Sequence, residues 1–232
     1  MTRCIALLSS GLDSTVGIAL AIEQKTRIDL ALTYDYGQRA AQNEIEHAGK
    51  IADYFDIPFQ VITLDWFRNL GKSALTTNSL TLPNPDLHAL DDQKSAEASA
   101  DAVWVPNRNG VFIEVAASLA EGKNFDSILL GFNKEEAATF PDNSEAYLNA
   151  MNTALSFSTR KNVKVISPTL GMTKFEIVGH AVRLGIPFQL FWSCYEREEM
   201  MCGSCESCMR LKRAMAKNEV SFSDYFTNQD LK

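Results

Sequence analysis

Apolar residues in the first 65 positions come in short blocks separated by stretches with a helical period. Cys4 to Leu8 is an apolar run that stops at Ser9-Ser10-Gly11, the pattern of a buried strand feeding a turn. Ser14 to Lys25 fits a helix, and Ile28 to Leu32 is a second apolar run. Over residues 40–55, Ile45, Ala48, Ala52 and Phe55 recur on one helical face, with Glu44, Glu46, Lys50 and Asp53 off that stripe. Pro58 closes this segment, and Phe59 to Leu64 predicts a third strand. Strands alternating with helices predict a parallel sheet covered on both faces, a three-layer α/β sandwich.

Residues 71–102 break that rhythm. They carry Ser, Thr, Ala, Asn, two prolines and the pair Asp91-Asp92 without a sustained apolar period, and read as a long insertion, part of it mobile. Order resumes at Val103. Val111, Val115 and Leu119 define a helix face, Ser127 to Leu130 a strand ending at Gly131, and Lys164 to Ser167 another strand. Thr173 to Leu184 predicts a helix with Thr173 or a neighbour as its cap. The expected organisation is an α/β domain over residues 1–190 and a cysteine-rich segment over 191–232.

Composition narrows the function classes. At 232 residues, with 46% apolar and 22% charged positions, the chain can build its own core, which excludes wholesale disorder. A net charge of −7 argues against a protein held to nucleic acid by phosphate contacts. The first apolar run is too short for a signal peptide, and no stretch approaches the ~20 apolar residues of a membrane span. The expected setting is cytoplasmic and reducing, where clustered cysteines bind metal more often than they pair.

Two motifs carry chemistry. Ser9-Ser10-Gly11-Leu12-Asp13-Ser14 lies where the first strand turns into a helix. Small residues there let backbone N–H groups approach an anion, and the helix N-terminus adds its positive dipole end. The hydroxyls of Ser9, Ser10 and Ser14 can donate to phosphate oxygens, and Asp13 fits such a site if it helps hold Mg²⁺ or shapes the loop. The competing explanation is a tight turn with Ser or Asp as helix N-cap. Neither G-x-x-x-x-G-K nor G-x-G-x-x-G occurs.

The second motif is Cys194, Cys202, Cys205 and Cys208, a C-x7-C-x2-C-x2-C array with Gly203 and Ser204 in its tight turn. Three thiolates at this spacing plus one upstream can complete a tetrahedral Zn²⁺ shell. Four cysteine ligands leave no position for an activated water, which favours a structural metal. An iron–sulfur cluster uses the same ligand set and stays open. Cys4, in the first strand, reads as a small buried apolar residue.

The loop resembles the S-G-G-x-D-S motif of PP-loop ATP pyrophosphatases, with Ser10 in place of the usual glycine. Loop and cysteines together resemble the 7-cyano-7-deazaguanine synthases of the queuosine pathway. The resemblance continues through Tyr36-Gly37-Gln38-Arg39, Ala74-Leu75-Thr76, Val105-Pro106-Asn107-Arg108-Asn109, Phe140-Pro141-Asp142, Pro168, Leu170 and Lys174. The chain departs from the family at Asn107, where V-P-G-R-N is usual. It departs again over Glu136–Asn143, which replaces a D-x-S-G-Y-P-D-C run.

The resemblance implies an enzyme that uses ATP and ammonia to convert 7-carboxy-7-deazaguanine to the 7-cyano compound, through an adenylated carboxylate and an amide. It implies ATP binding by Leu8, Ser9, Ser10, Gly11, Leu12, Asp13, Ser14 and Thr15, and catalytic roles for Asp13, Arg39 and Lys174. It also implies structural zinc, Mg²⁺ with the nucleotide, small-molecule partners and a homodimer. Arg39 and Lys174 read equally well as solvated surface charges. Deazaguanine offers N1–H and a 2-amino group that one carboxylate can accept, so Asp142 is a candidate partner and Phe140 a stacking surface. Pro141-Asp142 is equally a helix start. Arg108, with Asn109 beside it, can grip a carboxylate in bidentate fashion, or be a polar residue in a first helical turn.

The departures over Glu136–Asn143 leave open an enzyme that stops at the amide or joins the activated carboxylate to another amine. A PP-loop tRNA-modifying ligase is disfavoured by the acidic balance, and a nucleotide sensor or metal-stabilised interaction module is the non-enzymatic rival.

Overall fold

The computed structural model describes residues 2–231. All five predicted strands form: β1 (Arg3–Leu7), β2 (Arg27–Asp35), β3 (Phe59–Thr63), β4 (Ser127–Leu129) and β5 (Lys164–Ile166). They make one sheet in the order β3-β2-β1-β4-β5, and every neighbouring pair is parallel. Ile5 lies opposite Leu30 on one side and Ile128 on the other.

Strand alternation divides the side chains between two faces. Ile5, Leu30, Leu32 and Tyr34 pack against helices α5 (Arg108–Lys123) and α6 (Glu145–Ser158). Cys4, Ala6, Leu8 and Ala31 pack against α1 (Leu12–Glu23) and α2 (Ala41–Tyr54). A third cluster lies outside α1. There Leu12, Val16 and Leu20 meet Ile177 and Ala181 of α7 (Lys174–Arg183), and Leu211 and Met215 of α8 (Glu206–Lys217). Residues 191–226 share this cluster with α1, so the cysteine-rich segment is seated on the α/β layers.

Two expected helix faces are shifted. On α5 the buried positions are Gly110, Ile113, Ala116, Ala117 and Ala120, while Val111, Val115 and Leu119 are half-buried. Small residues let α5 lie close on the sheet and displace the larger side chains to its flanks. On α2 the buried residues are Ala48, Ile51 and Ala52. The insertion also contains two helices, α3 (Leu87–Asp91) and α4 (Gln93–Val103). Each starts at an aspartate cap: Asp86 accepts from the Ala89 N–H at 2.8 Å and Asp92 from the Ser95 N–H at 2.9 Å. Alanine stripes bury α4, through Ala96 and Ala100, and supply too little apolar contrast to show as a period.

Candidate active site

In a parallel sheet of this order, the connections leave β1 and its neighbours in opposite directions, opening a crevice beyond their carboxyl ends. Here the crevice is a cavity of about 260 Å³. Its floor is the loop after β1. Gly131, at the end of β4, makes that approach possible: a Cβ at this position would lie 2.5 Å from the Ser14 nitrogen and 2.7 Å from its Cα.

The N-cap of α1 is Gly11, and no side chain accepts a hydrogen bond from the first turn. That removes the alternative in which a Ser or Asp of this loop serves as the cap. It also leaves first-turn N–H groups beside the cavity, the arrangement that suits an anion. Leu8, Ser9, Gly11, Leu12, Asp13 and Ser14 line the cavity, with the Ser9 and Ser14 hydroxyls 3.2 Å apart. Ser10 and Thr15 do not line it. Ser10 stands at φ +61°, and its hydroxyl donates to the carbonyls of Ser9 and Trp192. The Thr15 hydroxyl donates to the Gly11 carbonyl at 2.8 Å.

Asp13 and Lys174 are brought together from 161 residues apart, in direct ion-paired contact. Glu136 completes the group, with Oε1 3.1 Å from the Lys174 Nζ. Burial is the largest influence on all three. It pushes the Asp13 carboxyl up to about 6 in spite of Lys174. Burial also opposes the ammonium of Lys174, but Asp13 and Glu136 together outweigh it and hold the lysine charged. Lys174 and Asn133 likewise overcome burial at Glu136 and keep it ionised. The Asp13 Oδ1 is buried without a hydrogen-bond partner, so this carboxylate retains an oxygen that a hard divalent cation such as Mg²⁺ can use.

The remaining predicted residues are placed unequally. Arg108, Asn109 and Phe140 line the cavity. The Arg108 guanidinium donates to the Tyr36 hydroxyl at 3.2 Å and lies over the Tyr36 ring; Phe140 stacks on Trp104. Asp142 is buried outside the cavity wall, with its backbone carbonyl accepting from Asn109. The cause is the 3₁₀ turn Pro141–Asn143: side chains three apart in such a turn eclipse, so Phe140 and Asn143 share the cavity face, while Asp142 sits behind it, near enough to Arg108 to favour that cation. Arg39 lines the cavity, but its Nη2 is taken by the carbonyls of Thr77 and Leu80, and Nη1 lies 3.4 Å from Glu196. Arg39 therefore anchors the start of the insertion.

Sequence reasoning missed Glu44, Glu136, Trp192, Tyr195, Ser207 and Arg210, all in the cavity wall. Only position 136 carried a signal, as the carboxylate standing where the resembled motif has aspartate. Asn107 is explained by its backbone. At φ +53° it occupies the left-handed region that asparagine, after glycine, tolerates best.

The four cysteines converge. Their sulfurs lie within 4.8 Å of one another, compatible with the ~3.8 Å edge of a ZnS₄ tetrahedron. Backbone N–H groups of Cys202, Ser204 and Cys205 point at sulfurs at 3.3–3.4 Å, which suits thiolates. Gly203, at φ +73°, sits where a Cβ would collide with the Asn228 carbonyl. The donor set fits a metal centre. Among the described residues, no helix is long and apolar enough to cross a membrane.

The model of the family described as "Queuosine biosynthesis protein QueC" matches residues 3–219. A 7-cyano-7-deazaguanine synthase of Methanosarcina barkeri is 45% identical over 215 residues, covering 91% of this chain and 93% of the relative. One from Bdellovibrio bacteriovorus is 42% identical over 224 residues, covering 97% of each. Another, from Desulforamulus reducens, is 46% identical over 210 residues, covering 90% and 92%. Joined to a phosphate-loop cavity and a four-cysteine centre on a parallel sheet, these matches place the chain in the QueC family of queuosine biosynthesis.

Proposed function

We propose that this chain is a 7-cyano-7-deazaguanine synthase, an ATP-dependent ligase acting on 7-carboxy-7-deazaguanine and ammonia. The observation that carries the reading is the buried Asp13–Lys174–Glu136 group beside the uncapped N-terminus of α1. A carboxylate resists ammonia because oxide is a poor leaving group. Attack of a carboxylate oxygen on the α-phosphorus of ATP expels pyrophosphate and gives an acyl adenylate. Ammonia then adds at the carbonyl carbon, and AMP and a proton leave to form the amide. Repeating the activation on the amide oxygen with a second ATP, then losing AMP and the remaining N–H protons, gives the nitrile.

Each step moves negative charge between phosphate oxygens, so the chain's task is positioning and charge stabilisation. The N–H groups opening α1, with the hydroxyls of Ser9 and Ser14, would receive the phosphates. Lys174 would sit against the departing pyrophosphate. Asp13 would hold Mg²⁺ through its free oxygen; the ion's contribution is to neutralise charge on the phosphates. Arg108, Asn109 and Phe140 would form the wall for the deazaguanine. Glu136 retains the carboxylate of the family motif, which favours the synthase over an enzyme of altered chemistry. The four cysteines would hold structural zinc.

The test is product analysis by mass spectrometry with the acid, ATP and ammonia. Nitrile with AMP and pyrophosphate is expected. Amide alone would assign an enzyme that stops halfway, and the absence of both products would refute the ammonia-dependent synthase.

A further inference from the structure

Three carboxylates line the cavity: Asp13, Glu136 and Glu44. The first two share Lys174, whereas Glu44 enters no salt bridge among the described residues. A glutamate in the first turn of a helix ordinarily faces water, where it complements the dipole. Glu44, in the first turn of α2, instead faces the cavity, and a neighbouring side chain holds it there. The amide nitrogen of Gln38 donates to Glu44 Oε2 at 2.9 Å and to the Tyr34 carbonyl at 3.1 Å; its oxygen accepts from the Tyr36 N–H at 2.9 Å. Gln38 is thus buried and fully engaged in fixing one carboxylate. This arrangement uses the Tyr36-Gly37-Gln38 segment, with Gly37 at φ +84° making the turn.

Given the synthase reading above, we propose that Glu44, positioned by Gln38, recognises the guanine-type edge of the substrate by accepting hydrogen bonds from its N1–H and 2-amino groups. Arg108, which lines the same cavity as Glu44, supplies donors for the exocyclic carbonyl oxygen beside N1. A carboxylate and a guanidinium in one cavity wall can together complement the donor–donor–acceptor order of that edge, which adenine lacks. Burial raises the Glu44 carboxyl above its ordinary range, so a carboxylate left alone here is costly, and two N–H donors would offset that cost. Asp142, the other carboxylate suited to this edge, lies outside the cavity wall.

The test compares the natural acid with its analogue lacking the 2-amino group, in wild type and in Glu44→Gln. Gln keeps an acceptor for Gln38 but replaces one acceptor of the pair with a donor. Wild type is expected to disfavour the analogue about tenfold in kcat/KM. Glu44→Gln should raise KM for the acid about ten- to a hundredfold, leave KM for ATP within about threefold, and lose the discrimination. A wild type indifferent to the 2-amino group overturns the proposal without any variant. So does a Glu44→Gln effect confined to ATP, or discrimination that survives the substitution. Failure of wild type to consume the acid at all would instead refute the synthase reading.

Discussion

The charge on Asp13 has a cost in the folded protein. Its carboxyl ionises near 6 because burial outweighs Lys174, whereas an unfolded aspartate ionises near 4. Between those values the unfolded chain gives up a proton that the folded chain keeps, so stability falls as pH rises through that window. Asp13→Asn removes that titration but leaves Lys174 with Glu136 as its remaining ion-pair partner, so the variant's melting temperature is expected to change less than wild type's between pH 4 and pH 7.5. ATP-dependent turnover should fall on the order of 100-fold. Melting curves of both proteins at the two pH values check the first part, and an equal pH response in the two would refute it. Ser10 gives the opposite case. Its hydroxyl faces the backbone, so Ser10→Gly should leave KM for ATP within about twofold, and relief of the left-handed backbone roughly balances the lost hydrogen bonds. Ser14→Ala, which removes a hydroxyl from the cavity wall, should raise that KM clearly more in the same assay. Which side of the chain a hydroxyl faces was not legible in the motif, because a single left-handed residue reverses it.

Elements were legible wherever packing demanded contrast. The five strands and the helices α1, α2 and α7 follow from apolar runs and caps, and Thr173 caps α7 in a reciprocal capping box with Glu176. The helices α3, α4, α6 and α8 escaped for different reasons: α3 is five residues long, alanine, serine and charged residues dominate α4, asparagine and threonine interrupt α6, and α8 begins inside the cysteine array. The caps Asp86 and Asp92 were present but had no apolar period to mark, and Ser144 preceded only the sparse stripe Leu148, Met151 and Leu155. Junctions between elements set the site, and Gly131 is the sharpest of them. Gly131→Ala must push β4 away from the first turn of α1, with an expected cost of about 1–3 kcal/mol and a rise in KM for ATP larger than stability loss alone explains. Urea unfolding and ATP kinetics on the same preparation check both. Thr173→Ala should cost about 1 kcal/mol in urea unfolding and lower kcat, since the capped turn carries Lys174.

At the scale of the molecule, the cysteine array both ties down the last segment and delivers Tyr195, Ser207 and Arg210 to the cavity wall. Arg210 contacts Glu206 at 2.8 Å and lies 3.5 Å from Glu135, whose other oxygen accepts from the Lys174 N–H at 2.8 Å. The cysteine spacing announced a metal knot, but only the folded chain connects it to the lysine, through contacts spanning the whole sequence. Metal removal therefore has two predicted consequences. The clusters on the two sheet faces are built almost wholly from residues before 191, so the sheet should survive. The cluster outside α1, which needs Cys194, Cys205 and Cys208 packed against Leu12 and Val16, should open. A strong chelator is thus expected to abolish turnover, expose residues 191–231 to limited proteolysis first, and leave most far-ultraviolet dichroism intact; Cys205→Ser should reproduce this with reduced metal content. Full activity in a chain shown by metal analysis to be empty would detach the knot from the active site, because the wall it supplies could then form without it.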